Sequence, residues 1–124
     1  MSIVLQNLSI EIGGAQICQS LDLEFSTGQV WCVLGCNGVG KTTLLKTLAG
    51  LRPPNFGDIQ LNGRPVQRVA RRERAKQLSI LFQDSETLFP TTVLETVLTG
   101  RHPWISPLRG ESTHDRDKAV AALD

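Results

Sequence analysis

Eight residues, Gly35 to Thr42, follow the spacing G-x-x-x-x-G-K-[ST], a combination of residue types that suits phosphate chemistry. Glycines let the backbone wrap tightly, so that its N–H groups can point at an anion. Lys41 adds a positive charge for β- and γ-phosphates, and the Thr42 hydroxyl is placed to hold Mg²⁺. A helix after the loop would favour the same phosphates through the partial positive charge at its N-terminus. The pattern predicts a binding loop for a nucleoside triphosphate with Mg²⁺.

Such a loop needs a buried strand before it and a helix after it. Residues 30–34, VWCVL, form a short apolar run, which predicts a fully buried strand. Residues 43–49 continue with a helical pattern, and Gly50 is a natural end for that helix. Its three leucines are expected on one face: Leu44, Leu45 and Leu48. Both flanking elements therefore agree with the loop.

The rest of the first half predicts short antiparallel strands around this unit. Residues 3–12 and 17–25 alternate as strands and are separated by a glycine-containing turn, which indicates a hairpin. Residues 58–63 form a further short strand that closes with Asn-Gly, and residues 78–82 read as another. The pattern indicates a mixed α/β fold with a small antiparallel sheet beside the nucleotide core.

The C-terminal part predicts two helices separated by a loop. Thr92 and Glu95 fit a capping box that opens a helix to about Thr99, and Gly100 ends it. A last helix is expected to begin near residues 112–115 and to be still running at the final residue, Asp124, since no stop signal follows.

Size and composition set broad limits. The chain has 124 residues, enough for one domain with a core, and its formal net charge is +1. No apolar run approaches the ~20 residues that a membrane-spanning helix needs. The first six residues lack the charged start and apolar core of a secretion signal. We therefore expect a chain with no global attraction to nucleic acid or acidic membranes.

The chain's three cysteines, Cys18, Cys32 and Cys36, follow no metal-ligand spacing. Reduced thiols of a cytosolic protein are the expectation, because an odd number cannot pair fully. Cys32 lies in the predicted buried strand and is expected in the core, whereas Cys36 lies inside the loop, where its backbone matters most. His102 has no second ligand at metal spacing and is interpreted as a loop residue.

Residues 66–77 form a basic stretch with a helical pattern. Its five cationic side chains are Arg68, Arg71, Arg72, Arg74 and Lys76. They suggest either a nucleic-acid patch or a solvated helix face. The second interpretation is favoured because no aromatic residues are interleaved for base stacking, and no nucleic-acid partner is expected.

Taken in order, these segments resemble the N-terminal part of an ABC-type ATP-binding subunit over about residues 3–124. The family's loop often reads G-x-N-G-x-G-K-[ST]-T-L-L, and Gly35 to Leu45 reproduces it. Further segments resemble the family in the right order: Ala49–Leu51, Pro54, Gly57–Ile59, Leu61–Gly63, Gln83 after Ile80–Phe82, and the stretch from Phe89 to Pro103. That last stretch is most similar to subunits that serve importers of iron chelates, haem or cobalamin.

The resemblance implies a role for each residue of the site. Backbone groups of residues 36–42 would wrap the phosphates, and the residues implied in nucleotide binding are Gly35, Cys36, Asn37, Gly38, Val39, Gly40, Lys41, Thr42 and Thr43. Lys41 would neutralise developing charge, Thr42 would ligate Mg²⁺ and Thr43 would contact the α-phosphate. Gln83 would be the Q-loop glutamine that reaches Mg²⁺ and the attacking water. ATP and Mg²⁺ are thus the implied cofactors.

Two departures from the family pattern affect this expectation. Ile12 stands where the family usually has an aromatic residue that stacks on adenine, and the chain contains no Tyr. An apolar contact from Ile12 would grip and discriminate bases less. The family's signature Leu-Ser-Gly-Gly segment, its Walker B strand with the catalytic Glu and its switch His are not found in residues 84–124. We therefore expect negligible ATP hydrolysis by these 124 residues alone.

The resemblance also implies architecture and partners. Residues 1–86 would form a partial P-loop NTPase core with an antiparallel β-subdomain, and residues 87–124 the beginning of a helical subdomain. The full subunit would act as a homodimer on a membrane permease, contacted through the Q-loop and residues 87–107, at the cytoplasmic face of the inner membrane. The alternatives are a non-catalytic partial chain or a P-loop NTPase without a transport role, such as a kinase or GTPase. A third, an ABC-type protein that acts on DNA or translation, is disfavoured by the segment Gly100 to Pro103.

Overall fold

The structure, a computed structural model, describes residues 1–83, 90–106, 108 and 110–123. Its contacts divide the chain into two compact units, Met1–Leu78 and Ser79–Asp124. The strands are β1 (Ile3–Ile12), β2 (Ala15–Phe25), β3 (Phe56–Leu61) and β4 (Arg64–Pro65). The helices are α1 (Lys41–Leu48), α2 (Arg71–Ala75), α3 (Val93–Thr99) and α4 (Thr113–Val120), with a 3₁₀ turn at Val66–Arg68.

The first unit is built on a four-stranded antiparallel sheet in the order β2-β1-β3-β4. β1 lies between β2 and β3, so that Leu5 pairs with Leu23 on one side and with Ile59 on the other. The β1–β2 hairpin closes at Ile12 and Ala15. The predicted mixed α/β fold with a small antiparallel sheet is confirmed, and β4 adds a short strand that the sequence did not predict.

One face of this sheet carries the core of the first unit. Its fully buried members are Leu5, Leu8, Ile10, Ile59, Leu61 and Val66. Leu44 and Leu48 of α1 pack against them, but Leu45 is 46% exposed. The expectation that Leu45 shares their face was wrong, because positions i, i+3 and i+4 of a helix face together and i+1 does not. Thr47 occupies the inward position instead and is fully buried.

The buried strand predicted at residues 30–34 is wrong in this structure. Val30 is 98% exposed, Leu34 is 86% exposed and Cys32 is also exposed rather than in the core. A strand exists only through ladder hydrogen bonds to a neighbour, and no described residue pairs with this segment. Trp31 nevertheless packs its ring edge-on against Phe25, with centroids 5.2 Å apart. An apolar run therefore does not make a strand without its partners.

The same reason applies to the strand predicted at residues 78–82, which is also wrong. These residues have no strand conformation, and Leu81 is 97% exposed.

The basic stretch at residues 66–77 is not one continuous helix. Val69 and Ala70 are extended, with ψ of 123° and 139°, and they separate the 3₁₀ turn from α2.

The second unit contains α3 and α4, both opened by capping boxes. The Thr92 hydroxyl accepts from the Glu95 N–H at 3.2 Å, and the Glu95 carboxylate accepts from the Thr92 N–H at 2.7 Å, which confirms that prediction. Ser112 and Asp115 form the equivalent box at α4.

Among the described residues, no helix combines the length and apolar character required to cross a membrane.

α4 ends earlier than expected. The helix stops at Val120 with Ala121 as its C-cap, instead of continuing to the final residue, which lies outside the described part of the chain. The N–H groups of Ala122 and Leu123 bond to carbonyls three residues back, which tightens the last turn. Residues 84–89 and 107, where parts of the predicted permease-contacting segment fall, also lie outside the described residues.

Candidate nucleotide-binding loop

Two loop glycines have backbone conformations that side chains rarely allow. Gly38 has φ of +81° and Gly40 has φ of +103°. Gly40 also lies against β2, where a Cβ atom would be 2.7 Å from Ile17 Cδ1. A glycine at this position therefore allows the loop to turn into α1 while it packs against the hairpin.

Lys41 folds back onto the beginning of the loop. Its Nζ donates to the Gly35 carbonyl oxygen at 2.7 Å and to the Cys36 carbonyl oxygen at 2.8 Å. An ammonium group has three donors, so these two bonds leave one for another acceptor. The backbone carbonyls thus hold a positive charge at a defined place in the loop.

The N-terminus of α1 contributes further donors. Its N-cap is Gly40, which provides no side-chain cap, and the first turn contains no acidic residue. The first intrahelical bond runs from the Leu44 N–H to the Gly40 carbonyl at 2.9 Å. The N–H groups of Thr42 and Thr43 lie in the first turn of α1, where backbone donors have no partner within the helix. Together with Lys41 they form a local environment that favours an anion.

The loop is open to solvent. Cys36, Asn37, Gly38 and Val39 are all exposed, and the Val39 N–H bonds to the Cys36 carbonyl at 3.4 Å, which closes a turn between them. A ligand can therefore reach the loop from solvent without displacing a covering element of the first unit.

The loop offers few protein ligands for a metal ion. Within the described residues, no group of three or more His, Cys, Asp or Glu side chains could hold a metal ion. Thr42 is exposed in the first turn of α1. A single hydroxyl oxygen suits Mg²⁺, because this ion usually takes few protein ligands and completes its shell with phosphate oxygens and water.

Two other predicted site residues, Ile12 and Gln83, lie outside the loop sequence itself. Ile12 is exposed at the end of β1 and is available for an apolar contact. Gln83 is exposed and belongs to the second unit. The contacts expected of Ile12 with a base and of Gln83 with Mg²⁺ stay predictions.

Sequence reasoning missed the part that Ile17 plays at the loop. Its contact with Gly40 joins residues 23 positions apart in the chain. The sequence contains a weak signal for this contact. Side chains of a strand alternate between its two faces, and Ile17 is an even number of positions from Leu21, Leu23 and Phe25, which are expected on one face. The hydrogen bonds from Lys41 Nζ to the two backbone carbonyls could not be predicted from the sequence beyond the loop pattern itself.

Comparison with known proteins identifies the family. The profile of the ABC transporter family matches residues 18–124. The chain belongs to the ABC transporter family. Its loop, Gly35 to Thr42, lies within the matched region.

Named relatives in the ABC transporter family include two import proteins. The chain is 38% identical over 124 residues to the Hemin import ATP-binding protein HmuV of Myxococcus xanthus, covering 100% of this chain and 46% of the relative. It is 35% identical over 118 residues to the Petrobactin import ATP-binding protein FpuD of Bacillus anthracis, covering 95% of this chain and 43% of that protein. The chain thus spans less than half the length of these relatives.

A solved structure agrees with this assignment. The fold matches an inward-facing conformation of a putative metal-chelate type ABC transporter with a TM-score of 0.76 and 27% sequence identity. The match covers 99% of this chain and 44% of the other.

Proposed function

We propose that this chain is the nucleotide-binding part of an ATP-binding subunit that drives an ABC importer. The observation that carries the proposal is the position of the Lys41 ammonium, 2.7 Å and 2.8 Å from the carbonyls of Gly35 and Cys36, beside the uncapped first turn of α1. A fixed cation and a set of unpaired N–H groups suit the polyphosphate of a nucleotide.

The proposed roles follow from chemistry at each position. Backbone groups of residues 36–42 wrap the β- and γ-phosphates, and Lys41 neutralises their charge. Thr42 ligates Mg²⁺ and Thr43 contacts the α-phosphate. Ile12 provides an apolar contact for the base, and Gln83 contacts the Mg²⁺ and the attacking water. When bound, Mg²⁺ would supply charge neutralisation at the phosphate oxygens.

For these 124 residues, we expect ATP binding and ATP hydrolysis to differ. Hydrolysis needs a group that orients and deprotonates water, and the residues past position 83 contain neither the family's Walker B segment nor its signature segment. We infer that the chain alone binds Mg-ATP weakly and hydrolyses it negligibly. A steady-state assay with Lys41-dependent turnover comparable to that of full-length relatives would contradict this.

The transported substrate is proposed as an iron chelate, haem or cobalamin. Support comes from the relatives named for hemin and petrobactin import and from the neighbour described as metal-chelate type. We further propose that the full subunit dimerises on the cytoplasmic side of the membrane. It would contact its permease through the Gln83 region and residues 87–107.

Calorimetric titration of Mg-ATP into the 124-residue chain tests the site. Lys41→Ala should abolish detectable binding, because the loop then lacks its cation. Lys46→Ala removes the same charge from the last turn of α1 and serves as the matched control, which should bind within about twofold of wild type. Equal isotherms for wild type and Lys41→Ala would rule the site out. Competition by GTP as strong as by ATP would favour the non-transport NTPase instead.

A further inference from the structure

The first unit contains a second concave surface, which we call the arginine cleft. It is a cavity of about 470 Å³ lined by Gly50, Pro53, residues 67–71 and Arg74. Three of the lining side chains are arginines, Arg68, Arg71 and Arg74, and none of the described lining residues is acidic. Gly50 lies two residues after the end of α1. The phosphate loop adjoins the other end of that eight-residue helix, roughly 12 Å away along its axis.

Arg74 is fixed in the cleft by the backbone. Its Nη1 donates to the Val66 carbonyl oxygen at 3.1 Å. A Cβ atom at Gly50 would lie 2.9 Å from that same nitrogen, so the guanidinium lies over Gly50 in the space that a side chain would take. A guanidinium has five donors, and one bond to Val66 leaves most of them for other acceptors. The C-terminal end of α1 also favours one cation here.

Arg68 and Arg71 are held near Arg74 by the break in the basic stretch. Val69 and Ala70 are extended, so Arg68 ends the 3₁₀ turn and Arg71 begins α2 on either side of them. Both side chains are exposed, and no described carboxylate pairs with either. The acid of α2, Glu73, bonds to Lys76 at 2.9 Å and does not line the cleft.

Three like charges around one cavity repel one another, and a bound anion relieves that repulsion. Guanidinium groups match the oxygens of phosphate in paired, charge-assisted hydrogen bonds. The volume lies within the usual range for a small ligand. No aromatic side chain is found among the described residues that line the cleft, and these residues offer no stacking surface for a nucleobase.

From these observations we infer that the arginine cleft is a binding site for a phosphate-bearing anion, separate from the nucleotide loop. The ligand would carry one or two phosphate groups, and the cleft would not recognise a nucleobase. Such a group is carried both by a small free anion and by the headgroup of an anionic phospholipid.

The test measures binding of inorganic pyrophosphate to the full chain with Lys41→Ala in every variant, so that the phosphate loop does not contribute. Arg68→Gln with Arg71→Gln should weaken binding by about tenfold or more, because two charge-assisted contacts are lost. The matched control is Arg64→Gln with Lys118→Gln, which removes the same charge from exposed positions outside the cleft and should change binding less than about twofold.

A vesicle arm distinguishes the two sources of phosphate. Co-sedimentation with phosphatidylcholine vesicles that contain phosphatidic acid, lost in the Arg68/Arg71 variant and not in the control, identifies a lipid headgroup. Pyrophosphate binding without sedimentation identifies a free anion. Thermal melts by circular dichroism check that the variants fold, which exposed substitutions should permit.

Three outcomes would overturn the inference. Binding of neither pyrophosphate nor anionic vesicles means that the cleft takes no phosphate. An equal loss in the cleft variant and the control means that net charge alone explains binding. Tighter binding of single-stranded RNA, which pyrophosphate fails to displace, would assign the arginines to nucleic acid instead.

Discussion

Gly40 and Ile17 are in direct contact across the first unit, since a Cβ atom at Gly40 would lie 2.7 Å from Ile17 Cδ1 and 2.8 Å from Ile17 Cγ2. The contact joins the last turn of the phosphate loop to the β1–β2 hairpin. The geometry of the loop thus depends on a side chain from a strand that is distant in sequence.

Gly40→Ala should destabilise the first unit and disturb the loop. The added methyl meets a β-branched side chain with little rotamer freedom, at a backbone φ of +103° that alanine rarely adopts. We expect a loss of about 2 kcal/mol or more in urea unfolding, together with weaker ATP binding.

Gly38→Ala is the matched control for that change. Its φ is +81°, but a Cβ atom there would meet no described atom within 4 Å, so it carries backbone strain of about 1 kcal/mol without the clash. Ile17→Ala should restore part of the stability lost in Gly40→Ala, because it removes the opposing methyl groups. Strictly additive effects of the two substitutions would contradict the contact.

Elements with local signals were predictable from the sequence. The capping box of Thr92 and Glu95 and the hairpin turn after Ile12 each depend on a few neighbouring residues, and both form as expected. The strands expected at residues 30–34 and 78–82 depend on distant ladder partners, which no local pattern reveals. Leu45 was misplaced for a different reason: it is adjacent to Leu44, and consecutive helix positions point in different directions, so that only Leu44 packs on the core with Leu48.

The candidate site divides in the same way. The loop pattern predicted an anion-binding turn before a helix, since glycine, lysine and threonine at that spacing express local backbone chemistry. The packing of Ile17 against Gly40 and the bonds of Lys41 to two carbonyls arise only when the chain folds. The arginine cleft was missed because it forms where the predicted helix 66–77 is interrupted.

Lys41→Met should separate stability from ligand binding. Both hydrogen bonds of Nζ go to carbonyls of a solvent-exposed loop, so their loss should lower the free energy of unfolding by less than about 1 kcal/mol. Mg-ATP in excess should raise the melting temperature of wild type, because it binds only the folded state. The variant should melt near the wild-type temperature without ligand and show no such rise. A rise equal to that of wild type would show that the ammonium does not hold nucleotide.

Asp115→Asn should reduce the acid sensitivity of the second unit. Hydrogen bonds from the Ser112 side chain and backbone, and then from the Arg101 guanidinium, hold the pKa of Asp115 below its ordinary value. A lowered folded pKa means stability that is complete above the unfolded value of about 3.9 and is lost as pH falls through the lower folded value. The variant lacks this charge, so its stability should be lower at neutral pH and change less below about pH 4.

Trp104 provides a local readout for this experiment, because the Arg101 guanidinium lies 4.8 Å from its ring centroid. Trp31 is the other tryptophan, and Trp31→Phe leaves Trp104 as the single reporter. Thermal melts followed by Trp104 fluorescence compare the chain that retains Asp115 with the Asp115→Asn variant. Their melting temperatures should differ most near neutral pH and should converge in acid. Parallel curves across the whole range would mean that Asp115 contributes no pH-dependent stability.

The three thiols should react at distinct rates. Burial raises the pKa of the Cys18 thiol, an effect partly offset by a backbone hydrogen bond with Ile10, and the side chain is half-buried. Cys32 and Cys36 are exposed. Because the thiolate is the nucleophile, Cys18 should react slowest with a disulfide reagent. Mass spectrometry of the labelled peptides measures each site.

Nucleotide should protect one of the two fast thiols. Cys36 lies inside the loop, and its carbonyl is bound to Lys41 at 2.8 Å, so Mg-ATP should slow its labelling while that of Cys32 changes little. In Lys41→Ala the protection should disappear, since the ligand no longer binds, although the thiol stays exposed. Fastest labelling at Cys18 would contradict the fold of β2. Bound phosphates contact only the loop, which contains Cys36 and not Cys32. Equal protection of both thiols would therefore mean that residues 32–36 become covered as a whole.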